Sequence, residues 1–196
     1  MSSAKNDIET STCDNALFLH HIKEELKRCQ KQCQVVSIFT GSEDLGKFTA
    51  GFVRAVDNDY VLIAHITPFG AYDGYRVEEL EAVRKVKYDG KYEHMLQRLY
   101  EIQKQSHPDV AITGSLISDL LIYAKKHTLL ISAELLDSDD DDVQGLVLGI
   151  KDDILTIRQV DRFGDEDGTC IVDIRDITVL VCDSDVEAAL RLLIKK

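Results

Sequence analysis

Residues 51–80 read GFVRAVDNDYVLIAHITPFGAYDGYRVEEL, and residues 145–174 read GLVLGIKDDILTIRQVDRFGDEDGTCIVDI. Aligned without a gap, and carried on through 51–100 and 145–194, the two stretches share Gly51, Val53, Asp59, Ile63, Phe69, Gly70, Asp73, Gly74, Asp89, Glu93, Leu96 and Leu99. Most other apolar positions stay apolar: Val61 meets Leu155, Val77 meets Ile171, Val83 meets Ile177 and Val86 meets Leu180. A gapless match of this length reads as duplication of a whole folding unit. Turns account for the glycines, and two cores account for the apolar positions.

Working outward, each copy is preceded by a helical pattern. Phe18, Ile22, Leu26, Cys29 and Cys33 form one stripe, with Asp14 or Asn15 as its cap. In the second copy Leu116, Leu120, Leu121 and Ala124 form the matching stripe. Alternating or continuous apolar runs place strands near 34–40, 48–57, 60–67, 75–80 and 83–88, and again near 128–135, 143–151, 154–161, 169–174 and 177–182. A tight turn, Asp57-Asn58-Asp59, joins the second and third strands. Closing helices are expected with Tyr92, Met95, Leu96, Leu99 and Ile102 inward in the first copy. In the second, Val186, Leu190, Leu193 and Ile194 face inward, behind a Ser184/Glu187 capping box. The expected fold class is mainly β with flanking helices (α+β), a tandem duplication of a helix, a five-strand barrel and a helix. Its divisions are a flexible segment 1–15, unit one over 16–104, a linker 105–114 in which Pro108 disfavours helix at His107, and unit two over 115–196.

A helix followed by five bent antiparallel strands resembles the Sm-like barrel, including its bacterial host-factor branch. The residues that carry the resemblance are Gly51, Val53, Val56 and Asp57 followed by the apolar run 60–63, with the first strand VVSIFT at 35–40. Other SH3-like barrels share the alternation. The resemblance implies association by joining the fourth strand of one barrel to the fifth strand of the next. It also implies RNA contacts at an asparagine in the turn after the second strand and at an Arg-Gly pair between the fourth and fifth. Those slots here hold Val61 and Leu155, then Glu79-Leu80 and Asp173-Ile174, and the host-factor Lys-His pair is absent. Asp57 matches the family aspartate, whereas Lys151 stands in its place in the second copy.

Composition agrees with that departure. The formal net charge of −12 repels nucleic acid and anionic membranes on average. The first fifteen residues are polar, without the apolar core of a signal peptide, and no apolar run is long enough to span a bilayer. Five cysteines without disulfide-like spacing suit a reducing cytoplasm.

Candidate chemistry is sparse. Cys29 and Cys33, with His21 and Glu25 beside them, have the spacing of helical metal ligands, but both cysteines continue an apolar stripe and read as packing. The run DSDDDDV at 137–143 lacks the glycine and glutamate of a calcium loop and reads as a solvated acidic loop. No helical zinc signature, nucleophile elbow or Gly-rich phosphate loop occurs, so no catalytic or metal residue and no cofactor are assigned. The stretch 65–76 stands out. Phe69, Asp73 and the two glycines are shared with the second copy and read as scaffold, with Phe69 and Phe163 as plugs. His65, Tyr72, Tyr75 and Arg76 are particular to the first copy, where Gln159, Glu166, Thr169 and Cys170 replace them. Such groups can stack a base or anchor a partner, or pack against the neighbouring unit. His65, Phe69, Tyr72, Tyr75 and Arg76 are therefore the candidate binding residues, with the turn Asp57, Asn58 and Asp59 as the family-equivalent site. The expected function is non-enzymatic, through protein contacts or self-association, the alternative being an RNA- or nucleotide-binding module built on 65–76.

Overall fold

The computed structural model describes residues 3–40, 48–136 and 143–194, with side chains from Asn15 onward. It is an α+β molecule. Helix α1 (Ser3–Lys31) leads into strands β1 (Val35–Thr40), β2 (Thr49–Val56), β3 (Tyr60–Ile66), β4 (Tyr72–Glu79) and β5 (Val83–Tyr88), then α2 (Lys91–Ile102). The same element order follows with α3 (Leu116–His127), β6 (Leu130–Leu135), β7 (Val143–Lys151), β8 (Ile154–Val160), β9 (Glu166–Asp173), β10 (Ile177–Cys182) and α4 (Asp185–Leu193). A 3-10 turn precedes the last strand of each half, at Leu80–Ala82 and at Ile174–Asp176.

All ten strands belong to one antiparallel sheet, in the order β5-β1-β2-β3-β4-β10-β6-β7-β8-β9. The halves meet where β4 pairs with β10, Glu78 opposite Val179 and Tyr75 opposite Cys182. The sheet is open: among the described residues, β5 and β9 have no strand on their outer sides.

β3 explains the continuous apolar run at 60–64. Val61 and Ile63 pack with Ile22, Leu26 and Cys29 of α1. Leu62 and Ala64 point the other way, into a cluster with Leu116, Leu120 and Leu121 of α3. Successive side chains alternate faces, so a strand covered on both sides is apolar throughout. β8 sits farther out, and its burial alternates. The cluster around α3 takes Tyr75 and Val77 from the first half and Leu155, Ile157, Val172 and Leu180 from the second, so one core spans both halves. Each fully buried leucine there contributes about 1.5–3 kcal/mol.

The closing helices are tied to the first strand of each half by a matched pair of bonds. Ser37 donates to Glu93 at 2.6 Å, and Ser132 donates to Glu187 at 2.6 Å. Ser184 caps α4 in a full capping box, as its sequence implies. Gly70 and Gly164, both at positive φ, let the turn before β4 or β9 lie flat on these helices. A Cβ on Gly70 would stand 2.4 Å from the Leu99 Cβ, and one on Gly164 2.6 Å from that of Leu193.

Several expectations are corrected. α1 begins at Ser3, not at a cap on Asp14 or Asn15, and runs through the segment expected to precede it. Its stripe ends early: Phe18 is largely exposed, and Cys33 lies beyond the last helical residue at positive φ, out on the surface. In α2 only Leu96 of the expected inward set is fully buried; Met95 and Ile102 face solvent. In α4, Val186 and Leu193 are likewise exposed. Short helices on the rim of a sheet bury a narrow stripe, one residue per turn, and the broader face assigned from periodicity is not needed. Phe69 and Phe163 are not plugs: they are 78% and 64% exposed, because the following glycine, not the ring, makes the contact with the helix. The acidic run at 137–142 lies outside the described residues.

Candidate functional site

The stretch 65–76 closes the seam between the halves. It begins with a turn whose backbone is held by one side chain: Thr67 Oγ1 accepts from the amides of Phe69 at 3.3 Å and Ala71 at 3.1 Å. In the second half Asp161 does the same, accepting from Phe163 at 2.8 Å and Asp165 at 2.9 Å. The two turns are the same structure made from different residues. Beyond the turn the halves differ.

Tyr72 donates its hydroxyl to Asp183 Oδ2 at 2.8 Å, and Asp73 Oδ1 accepts from the amide of Asp185 at 2.8 Å. Both bonds cross from the first half to the start of α4, one at the residue after β10 and one at the first residue of the helix. Asp73 Oδ2 is also 3.0 Å from His65 Nδ1. Burial alone would raise the Asp73 pKa; the His65 and Asp185 bonds outweigh it and hold the carboxyl below its ordinary value. For Tyr72, burial first and the Asp183 carboxylate second push the phenol far above its usual range. It is a permanent donor.

Tyr75 is 0% exposed and belongs to the core around α3, its hydroxyl donating to the carbonyl of Pro108. Arg76 lies between two carboxylates, with Nε 2.6 Å from Glu78 Oε1 and Nη2 3.5 Å from Glu134 on β6. Glu78 is fully buried and also accepts from Thr49. A buried charge needs a partner and hydrogen bonds; Arg76 and Thr49 both bond to Oε1, and Oε2 is buried without a hydrogen-bond partner. Gly74 lets β4 approach β10 here: at φ +67, a Cβ would meet the Cys182 carbonyl oxygen at 2.2 Å.

The linker 105–114 completes the cluster through His107. Its ring lies 4.5 Å from Tyr72, 5.4 Å from Tyr75 and 5.7 Å from Tyr100. Nε2 is 2.8 Å from the His65 carbonyl, which can only accept, so Nε2 carries the proton. Nδ1 then accepts from the Tyr100 hydroxyl at 2.8 Å. Burial, helped by Arg54 and opposed by backbone hydrogen bonds with His65 and Gly74, brings the His107 pKa down to about 4. His107, Asp183, Tyr100 and Glu78 are the seam residues that sequence reasoning missed. A histidine before a proline in a linker carries no periodic signal, and Asp183 reads only as the residue ahead of a helix cap.

Of the five candidate binding residues, four are thus engaged in contacts inside the molecule. Phe69 alone presents most of its surface to solvent. The turn Asp57-Asn58-Asp59 is similarly occupied. Asp57 Oδ1 accepts from the amides of Asp59 and Tyr60, and its Oδ2 accepts from the amide of Leu116 at 3.3 Å, at the start of α3. The Asn58 carbonyl accepts from Lys23 of α1. The turn staples two helices to the sheet.

Of the slots that hold RNA-reading side chains in the Sm-like pattern, Glu79 and Asp173 are partly exposed carboxylates and the others are apolar. Val61 and Leu155 are fully buried, as are Leu80 and Ile174 to within a few per cent. Between the halves runs a cleft of about 450 Å³, lined by Asp59, Glu79, Glu81 and Asp153 with Arg175 as its cation. Burial and the charges of Glu81 and Asp59 raise the Glu79 pKa, the signature of crowded carboxylates. Such a lining repels phosphate.

Cys29 is buried and its thiol is pushed up by burial, while Cys33 is on the surface beyond the helix. Among the described residues no three His, Cys, Asp or Glu side chains gather as a metal would require, and no helix is long and apolar enough to cross a membrane. Comparison with protein-family models, with curated proteins and with solved structures finds no match for the chain.

Proposed function

We propose that the chain is a non-enzymatic cytoplasmic protein of two tandem Sm-like units that acts through protein contacts and self-association. The observation that carries this reading is the β4–β10 seam. The fourth strand of the first half is joined to the fifth strand of the second, the mode of association that the Sm-like resemblance implies between separate barrels. The identical element order of the halves, and the matched Ser37–Glu93 and Ser132–Glu187 bonds, support a duplicated unit. What such a fused pair offers a partner is a sheet whose β5 and β9 edges are unpaired among the described residues, and an exposed Phe69. The contacts that occupy His65, Tyr72, Tyr75 and Arg76 inside the molecule weigh against the nucleotide-binding alternative.

The test is purification of the tagged full chain from its native cells, before and after ribonuclease treatment. Bound material is identified by mass spectrometry and by RNA sequencing. Protein, whether further copies of the chain or another species, is expected to persist after ribonuclease. Recovery of RNA with no protein overturns the reading.

A further inference from the structure

The two closing helices begin differently. In the second half the Glu187 carboxylate is bonded at both oxygens. Oε1 accepts from Ser132 at 2.6 Å, and Oε2 accepts from the Ser184 amide at 3.0 Å and from the Ser184 hydroxyl. In the first half Glu93 holds the same place in α2. It is 1% exposed, and its Oε1 accepts from Ser37 at 2.6 Å. The cap ahead of it is Gly90, which has no hydroxyl to give. Glu93 Oε2 is buried with no hydrogen-bond partner among the described residues. Lys87 Nζ stands 3.6 Å away, which supplies charge but not a hydrogen bond.

A second acceptor shares this condition. Gln34 Oε1, just ahead of β1, is buried and unpartnered among the described residues. Gln34 and Glu93 line one cleft of about 380 Å³ between the start of β1 and the first turns of α2. Sites for small ligands run from about 300 Å³ upward. The polar lining is particular to the first copy. Where it has Gln34, Lys87, Gly90, His94 and Arg98, the second has Thr128, Val181, Ser184, Ala188 and Leu192.

Unfilled acceptors call for N–H or O–H donors, and a carboxylate bonds most strongly to a charged one. Asp89 and Glu101 add negative charge to the cleft, and both are already occupied: Asp89 lies 2.9 Å from His94 Nε2, and Glu101 accepts from Gln97 at 3.2 Å. An ammonium group carries three donors on one compact charge. We propose that the cleft binds a small molecule through a primary ammonium group, with Glu93 Oε2 and Gln34 Oε1 as its acceptors. Ser184 closes in the second half, from within the chain, what the first half leaves to an outside donor. Arg98, exposed in the lining, can pair with a carboxylate on the same molecule. A diamine and a free amino acid therefore share the ammonium contact and differ at Arg98. This site is independent of the protein-contact reading above, and either can fail without the other.

The experiment is titration of the full chain with putrescine, glycine and lysine, followed by amide chemical shifts. Saturable shifts at 34–35 and 89–98 are expected with at least one of them. Glycine betaine and the bis-quaternary analogue of putrescine carry the charge without an N–H, and should leave those shifts unmoved. Gly90→Ser rebuilds the bond that Ser184 makes. It should melt at or above wild type and weaken binding by about tenfold or more, the cost of one charge-assisted hydrogen bond. Glu93→Gln keeps an oxygen for Ser37 and sets an NH₂ where the ammonium would sit, and should lose binding as well. Binding of an amino acid that Arg98→Ala abolishes assigns the zwitterion; binding of putrescine that survives Arg98→Ala assigns the diamine. No saturable shift with any of the three probes, equal binding of the quaternary controls, or undiminished binding by Gly90→Ser and Glu93→Gln overturns the proposal.

Discussion

Tyr72 and Asp183 are hydrogen-bonded at 2.8 Å although they lie 111 positions apart, and that bond joins the first residue of β4 to the segment that launches α4. Its neighbour Tyr75 is enclosed completely. Tyr72→Phe should therefore cost about 1–2 kcal/mol, since it leaves Asp183 short of a donor. Tyr75→Ala should cost about 3–5 kcal/mol, the range for removing a buried aromatic ring. Urea unfolding of the two variants measures both. A Tyr75→Ala chain as stable as wild type would show that the ring is not part of the core.

Gly74 and Gly168 are matched positions with opposite surroundings. Both have positive φ, but a Cβ on Gly74 would collide with the β10 backbone, whereas nothing lies within 4 Å of one on Gly168. Gly168→Ala should lose about 1 kcal/mol from backbone conformation alone. Gly74→Ala should lose clearly more and loosen the seam. Hydrogen exchange at 177–182 is the readout: faster exchange is expected in the Gly74 variant and not in the Gly168 variant.

The seam should be weakened by acid through His107. The free imidazole has a pKa near 6.5, and in the fold it is held down at about 4. Between those values the unfolded chain binds a proton that the folded chain does not, so stability rises with pH across the window. The contribution is complete above about pH 6.5 and is lost as the pH falls toward about 4. Asp73, whose pKa lies below its ordinary 3.8, adds stability that is lost only at still lower pH. Denaturation midpoints from neutral pH down through this window should fall more steeply for wild type than for His107→Gln. Equal slopes would remove His107 from the account.

Single-stranded RNA should bind weakly at physiological salt. Val61 and Leu155 are buried, and Glu79 and Asp173 put negative charge where a phosphate-facing cation would stand. Gel shifts with uridine-rich and adenine-rich oligomers test this. Submicromolar, salt-sensitive binding would contradict it.

Strand positions were the most legible part of the fold. The spacing of turn residues and the alternation in 143–151 and 154–160 place β7 and β8 closely. β4 and β9 each begin three residues earlier than their apolar runs, because Tyr72 and Glu166 pair with Ile66 and Val160 without contributing an inward apolar side chain of their own. Helix faces were less legible: Met95, Val186 and Leu193 keep the period of a buried stripe yet face solvent, since periodicity does not report how wide a partner surface is. At the candidate site, sequence found the residues but not their direction. Tyr72, Tyr75, Arg76 and His65 were recognisable as particular to one copy. What they meet lies far along the chain: Asp183, Pro108 and His107 in segments with no local pattern, and Glu134 on β6, whose place beside β4 the strand pattern does not show.

The pairing of β4 with β10 also sets an order of events during synthesis. β4 leaves the ribosome about a hundred residues before the strand that will cover it. At roughly 5–20 residues per second, its edge waits some 5–20 s, with Tyr75 and Val77 already in place for neighbours that do not yet exist. A nascent chain at that stage has β4 and β5 edges of one small sheet to protect. Arg76 and Glu79 put charge on that waiting edge, which disfavours pairing with another strand, until Glu134 and β10 arrive to cover it.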